Sequence, residues 1–385
     1  MPSSLYVHIP FCKSRCIYCD FFSTTSLNMR QRYVDALCKE MTMRHDYLTE
    51  ASRQTPPPCL SSIYFGGGTP SQLTTDMLKQ LTQHIFDAFD VDADAEITIE
   101  MNPDDVTPEY VEQLRQLPFN RVSLGVQTFD DERLAFIHRR HTASQAEGAV
   151  RLLQSAGYDN ISIDLMFGFP GQTLDGWKAD VDRAISLGVQ HLSAYSLMYE
   201  EGTRLYSMLE HGDVSEIDEE LSLQMYQLLI DRLADAGFRH YEISNFCMPG
   251  SHSRHNSGYW SGVHYLGIGA AAHSFDGESR QWNVSSLNEY VEGIESGVPS
   301  VSFEHLDAVQ RYNEYVMTRL RTCDGVDINR LRSDFGQTSV DYCLRMAATY
   351  IADGKLLYDT ECEKLSLTRD GLFVSNQIMA DLMQA

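Results

Sequence analysis

The feature that most restricts the fold of this chain is a cadence. A short β-branched or aromatic run followed by a longer segment with helical spacing recurs through the first two-thirds of the sequence. That alternation is the pattern of parallel strands joined by crossover helices. Strands are expected at 5–9, 62–65, 96–101, 121–126, 160–167 and 191–197, and helices near 29–49, 75–89, 108–117, 144–156, 174–187 and 217–236. Six βα units, with 240–244 as a candidate seventh strand, are too few for an eight-fold barrel. The expected class is therefore α/β, a partial (β/α)6 TIM-like barrel open at the side, although periodicity by itself does not separate it from a flat sheet.

Residues 246 to about 299 are rich in Gly, Ser, His and aromatic residues and show no long apolar period, so loop-like connecting structure is expected there. Helical spacing returns at 308–321, 328–335 and 340–353, followed by a hairpin candidate of 355–358 with 364–367 and a last helix opening at Thr368. This reads as a small, mainly helical, winged-helix-like domain. The expected organisation is a barrel over 1–245, a connecting segment over 246–305 and a C-terminal domain over 306–385. The prolines at 56–58 read as a stiff loop entering the second strand.

Charge narrows the ligands. The chain carries 54 Asp and Glu against 30 Lys and Arg, a formal charge of −24, which repels phosphate backbones. Residues 306–385 hold nine basic against twelve acidic residues, so the winged-helix-like end lacks the basic face that DNA binding needs. Nucleic acid is not expected as a partner. No apolar run approaches the roughly 20 residues of a spanning helix, and the first residues do not read as an export signal. A soluble cytoplasmic protein is expected, not an integral membrane one.

Of nine cysteines, Cys38, Cys59, Cys247, Cys323, Cys343 and Cys362 are scattered, which argues against a disulfide framework. The other three, Cys12, Cys16 and Cys19, fall within eight residues just after the first strand. Thiolates select zinc, copper or an iron–sulfur cluster. A closed zinc site needs four ligands, and no fourth cysteine or spaced histidine pair follows at the usual distance. A 4Fe-4S cluster on three cysteines would leave one iron open to a chelator. Buried apolar cysteines, or a zinc knuckle completed by a residue such as His8, are the plainer alternatives.

Barrel active sites assemble at the C-terminal ends of the strands. The second strand ends in Gly66, Gly67, Gly68, Thr69 and Pro70, where missing side chains let backbone approach a ligand, though a plain turn has the same composition. There is no P-loop lysine. The third strand ends at Glu100, the fourth at Gln127, and the fifth carries Asp164. A carboxylate in an apolar strand is costly unless it is paired, ligand-bound or satisfied by backbone donors. Arg139, in a run that alone would read as a solvated face, suits a carboxylate because its fork binds two oxygens. Further on, His255, Asn256, Ser257, Gly258, Tyr259 and Trp260 combine an imidazole, which can ligate heme iron, with stacking rings. A packed loop turning at Asn256 and Gly258 is the alternative.

The segment from Cys12 to Cys19, with Tyr18 inside it, resembles the motif of the radical S-adenosylmethionine (SAM) superfamily. In that family the three cysteines bind a 4Fe-4S cluster whose open iron is chelated by the amino and carboxylate groups of SAM. The order Tyr6, cysteine triad, Gly67, Gly68, Thr69, Glu100, Gln127, Arg139, Asp164 is similar to that of the oxygen-independent coproporphyrinogen oxidase group. The resemblance implies that these positions, with Tyr18, contact SAM and that Cys12, Cys16 and Cys19 hold the metal. Residues 365–371 resemble the group's small C-terminal domain.

The group has two branches. The oxidase branch carries a longer N-terminal extension and a fourth cysteine where this chain has Phe21, whereas His255 to Trp260 matches the His-Asn-x-x-Tyr-Trp motif of the heme chaperone branch, HemW. The resemblance implies a heme chaperone that binds heme, a 4Fe-4S cluster and SAM and passes heme to apo-proteins, in this family respiratory enzymes. It makes His255, Tyr259 and Trp260 heme candidates and adds His273, which follows the family-like stretch Leu266, Gly267, Ile268 and Gly269. The alternative is oxidative decarboxylation of coproporphyrinogen III through a 5′-deoxyadenosyl radical; no catalytic residue is assigned. A homodimer is compatible with the sequence, which does not define the oligomeric state.

Overall fold

In six segments apolar and polar residues alternate with period two, and each becomes a parallel strand: β1 (Ser3–Ile9), β2 (Leu60–Gly67), β3 (Val91–Met101), β4 (Arg121–Gln127), β5 (Ile161–Phe167) and β6 (His191–Ser196). The computed structural model describes residues 2–52 and 59–384, so the prolines at 56–58 lie outside the described residues. One parity of each strand packs into the main core, as with Leu5, Val7, Ile63, Phe65, Ile97, Ile99, Val122, Leu124, Ile163, Leu165 and Leu192. The other parity carries Tyr64, Glu100, Arg121, Ser123, Asp164, Ser193 and Tyr195, which line a central cavity. The polar face of this sheet thus encloses a site.

Threonines set the helix starts. The side chains of Thr74, Thr107, Thr142, Thr173 and Thr203 each accept a backbone N–H in the first turn of the helix that follows, satisfying a donor the helix leaves open.

Two expectations are corrected. The segment expected at 240–244 is β7 (Arg239–Glu242), and it runs antiparallel to β8 (Asn245–Cys247), which itself lies antiparallel on β6. It adds no seventh βα unit. The segment 246–299 is not loop-like. It holds the helix Arg254–Ser261 and β9 (His264–Ile268), which pairs in parallel with β1 on the side away from β2. Next come β10 (His273–Phe275), β11 (Ser279–Asn283), the helix Leu287–Ser296 and β12 (Val301–His305). The twelve strands run β12-β11-β10-β9-β1-β2-β3-β4-β5-β6-β8-β7, and the two edge strands do not pair with each other. The barrel is open, as expected. Short polar strands spaced by turns carry little apolar period, which is why the segment reads as loop.

The helix Arg254–Ser261 is seated on Glu96 of β3. This carboxylate, 5% exposed, accepts from the Arg254 N–H at 3.0 Å, the His255 N–H at 3.1 Å and Ser253 Oγ at 3.4 Å. An acid at a helix N-terminus satisfies open N–H donors and the helix dipole together. Glu96→Ala strands these donors in a buried place and is expected to cost about 2–3 kcal/mol in urea unfolding. Glu96→Gln, which keeps an acceptor oxygen, should cost less; equal losses would contradict this seating.

The C-terminal residues form their own core around Tyr312, Val316, Leu331, Val340, Ile378 and Leu382. The helix Ala308–Leu320 precedes the helix Ile328–Ala352, which is broken at Gly336 (φ 82°), and the hairpin Leu356–Asp359 with Lys364–Leu367 gains a third strand, Val326–Asp327. The last helix divides into Arg369–Leu372 and Ser375–Leu382.

Candidate active site

The loop after β1 brings Cys12, Cys16 and Cys19 to one cavity of about 420 Å³ at the C-terminal ends of the strands. Tyr18, Gly67, Gly68, Thr69, Glu100, Gln127, Arg139 and Asp164 line the same cavity. The residues singled out at scattered strand ends are therefore neighbours. Tyr6 is the exception: it sits behind the wall, stacked on Tyr64 at 6.3 Å, and shares a 3.0 Å hydrogen bond with His8 Nδ1.

A hydrogen-bonded chain holds the triad's surroundings. Arg139 donates to Tyr18 Oη at 3.0 Å and to Asn102 Oδ1 at 2.6 Å; Asn102 donates to Thr69 Oγ1 at 3.4 Å, and Thr69 Oγ1 donates to Cys12 Sγ at 3.5 Å. The loop is also tied at its base, where Lys13 pairs with buried Asp105 at 2.6 Å. Gly68 leaves the space this needs, since a Cβ there would stand 2.8 Å from the Pro10 carbonyl carbon and 3.0 Å from Cys12 Sγ. Gln127 (φ 70°) and His138 (φ 62°) are held in the left-handed region on the cavity wall, a backbone cost that tends to collect at ligand sites.

Burial pushes the Cys12 thiol up and Cys19 to about 11, so both thiols carry protons until a metal displaces them. Three thiols on one loop, opening on one cavity beside a small-residue cradle, match the donor set of an iron–sulfur cluster. His8 is not available to complete a zinc site: its Nδ1 meets Tyr6 and its Nε2 meets the Phe22 carbonyl at 3.0 Å. Burial also lowers its pKa to about 4.

Glu100 faces the cavity from the end of β3. It accepts from Tyr64 Oη at 2.6 Å and from the Gly67 N–H at 3.2 Å. Burial nonetheless raises its pKa to about 7, with Asp164 pushing the same way. Because the folded state holds this proton more tightly than the unfolded chain, its contribution is full below pH 4.5 and is lost as the pH rises through about 7. Glu100→Gln removes this loss. Wild type is expected to weaken relative to Glu100→Gln by on the order of 2–3 kcal/mol between pH 5 and pH 8, read by urea unfolding of both proteins. A pH-independent difference would contradict the assignment.

The heme candidates lie elsewhere. His255 is 2% exposed, and both its ring nitrogens are engaged, with Ser62 Oγ at 3.0 Å and with Tyr259 Oη at 2.9 Å. Burial lowers its pKa to about 3. Tyr259 stands edge-on to Tyr265 at 4.7 Å, and Trp260 lies beneath the Arg321 guanidinium at 4.8 Å. Of the hexapeptide only Asn256 reaches the cavity. His273, on β10, is exposed and stacks on Trp282 at 5.9 Å.

Sequence reasoning missed Arg121, Tyr195 and Met198. Arg121 carries the signal used for Glu100 and Asp164, a charge in an apolar strand. Tyr195 and Met198, 42% and 63% exposed, join Phe21 at 63% on the cavity lining, and exposed apolar residues at a strand end or in a loop give no periodic signal.

Residues 6–184 match the family model of the Radical SAM superfamily, and residues 306–374 that of the HemN C-terminal domain. The chain is 34% identical to the heme chaperone HemW of Mycobacterium tuberculosis (strain ATCC 25618 / H37Rv) over 99% of this chain and 95% of that protein. It is also 34% identical to the heme chaperone HemW of Bacillus subtilis (strain 168), covering 97% of each. The solved structure of coproporphyrinogen III oxidase (HemN) from Escherichia coli superposes with a TM-score of 0.84 at 23% identity, covering 100% of this chain and 90% of that one.

Proposed function

The chain belongs to the HemW family of radical SAM proteins, and on that footing we propose that it is a heme chaperone, binding heme, a 4Fe-4S cluster and SAM and passing heme to apo-proteins such as respiratory enzymes. The observation that carries this reading is the full-length likeness to HemW proteins, on a fold that opens three thiols into one cavity. Cys12, Cys16 and Cys19 would hold the cluster. Tyr18, Gly67, Gly68, Thr69, Glu100, Gln127, Arg139 and Asp164 would surround SAM, with Tyr6 supporting the wall from behind. The cluster supplies an electron when bound; the chain's own part is to position the cofactor and shield it from water.

Among the heme candidates, iron ligation falls to His273, because a ligand nitrogen must be free and those of His255 are both engaged. No described helix is long and apolar enough to cross a membrane, so membrane-bound acceptors would be met from outside the bilayer.

The test is anaerobic reconstitution with iron and sulfide, then heme titration followed by Soret absorbance and transfer to an apo-heme protein. One heme per chain and net transfer are expected, whereas absence of stoichiometric binding would sink the proposal. His273→Ala should weaken heme binding at an unchanged melting temperature, and His255→Ala should lower the melting temperature. Loss of heme binding in a His255→Ala protein of wild-type stability would return the ligand role to His255.

A further inference from the structure

Arg121 opens β4 and is 1% exposed, yet its side chain lines the central cavity. Among the described residues its side chain makes no ion pair within 4 Å and no hydrogen bond, and its Nε is buried without a partner. The contrast is with Arg139 on the same cavity, whose terminal nitrogens are bound to Asn102 and Tyr18. An unpaired buried guanidinium is expensive to keep, and proteins retain such groups where a ligand completes them.

The groups facing Arg121 do not consume its charge. Glu100 is hydrogen-bonded to Tyr64 and Gly67, and Asp164 to Ser123 at 3.5 Å. Both acids are held above the usual carboxylate range by burial, although Arg121 pulls each of them down. His191 and His255, which also feel Arg121, are kept neutral by burial. Their rings are tied to Ser162 and Tyr241, and to Ser62 and Tyr259, so neither histidine adds a positive charge beside Arg121. The hydroxyls of Tyr64, Ser123, Ser193 and Tyr195 line the same cavity.

We propose that Arg121 is the carboxylate anchor of the barrel: the ligand of the central cavity lays a carboxylate arm on this guanidinium, whose planar fork takes both oxygens. The inference rests on the cavity being the ligand site of the proposed function, and it gives that site a recognition element apart from the cluster and the glycine cradle. Two ligands of the proposed function carry carboxylates: the propionates of heme are free to serve as such an arm, whereas SAM would offer its α-carboxylate only where that group does not sit on the cluster iron. With heme as the source, the porphyrin would lie near Phe21, Tyr195 and Met198, and the iron ligand would no longer be His273.

The experiment uses the full chain, reconstituted with iron and sulfide. Wild type, Arg121→Met and Arg121→Lys are titrated with SAM and decarboxylated SAM, and with heme and heme dimethyl ester; melting of each protein is followed with sodium propionate and with propionamide. Wild type should prefer one carboxylate-bearing ligand over its carboxylate-free analogue by about 100-fold, a preference lost in Arg121→Met and only partly kept in Arg121→Lys. Preference for SAM identifies the α-carboxylate as the source, and preference for heme the propionate. Equal binding of both members of each pair by wild type overturns the anchor, with no need for a folded variant. Wild type that binds neither SAM nor heme overturns the proposed function instead. In that case stabilisation by propionate and not propionamide, absent from Arg121→Met, still supports the anchor, and its absence from wild type overturns it.

Discussion

Replacing Cys16 with alanine is expected to erase the iron–sulfur absorption of the reconstituted protein while leaving its unfolding free energy within about 0.5 kcal/mol of wild type. The separation is possible because Cys16 is only partly buried and stands outside the main core. Cys12 would not separate the two effects. It is buried, receives the Thr69 hydroxyl and abuts Gly68, so Cys12→Ala should lose the cluster and stability together. Cys38→Ala and Cys323→Ala serve as controls, lying on the helix Arg30–Met43 and in the C-terminal region, away from the cavity. Full iron and sulfide content in Cys16→Ala, by metal analysis and absorbance, would falsify the three-cysteine assignment. A cluster lost equally from Cys38→Ala would show that reconstitution depends on general thiol chemistry.

The barrel was legible because its information is local. Each βα unit declares itself within one stretch of chain through period-two alternation followed by helical spacing. Glu100 and Asp164 stood out because a charge inside an apolar strand demands a reason. The hexapeptide shows where such reading stops. His255, Tyr259 and Trp260 have the chemistry of a heme site, but whether an imidazole is free depends also on Ser62, which no spacing rule connects to residue 255. The strands beyond residue 246 were missed for a related reason. Their polar residues face partners on a helix more than 200 positions earlier in the chain, so alternation alone could not reveal which face was buried.

That distant partnership supplies the largest stability effect expected. Glu40, on the helix Arg30–Met43, is fully buried and accepts four hydrogen bonds: from the Gly269 N–H at 2.9 Å, Asn283 Nδ2 at 2.7 Å, Tyr290 Oη at 2.6 Å and Arg44 Nη1 at 3.1 Å. Arg44 continues the network to the Gly267 carbonyl, Ser274 and Gln281, each at 3.1 Å. One carboxylate and one guanidinium thus clamp β9, β10 and β11 to a helix of the first βα unit. Removing one member of a buried charged network leaves the others unpaired in a place water does not reach, which costs about 3–5 kcal/mol. Glu40→Ala should therefore lose about that much in urea unfolding and release the amides of β9–β11 to faster hydrogen exchange before those of β2–β5. The first strand lies between the two regions, paired with β9 on one side and β2 on the other, so its amides should respond in between. A loss below about 1 kcal/mol, or exchange rising uniformly across the sheet, would mean that apolar packing alone seats these strands and that the clamp is incidental to it.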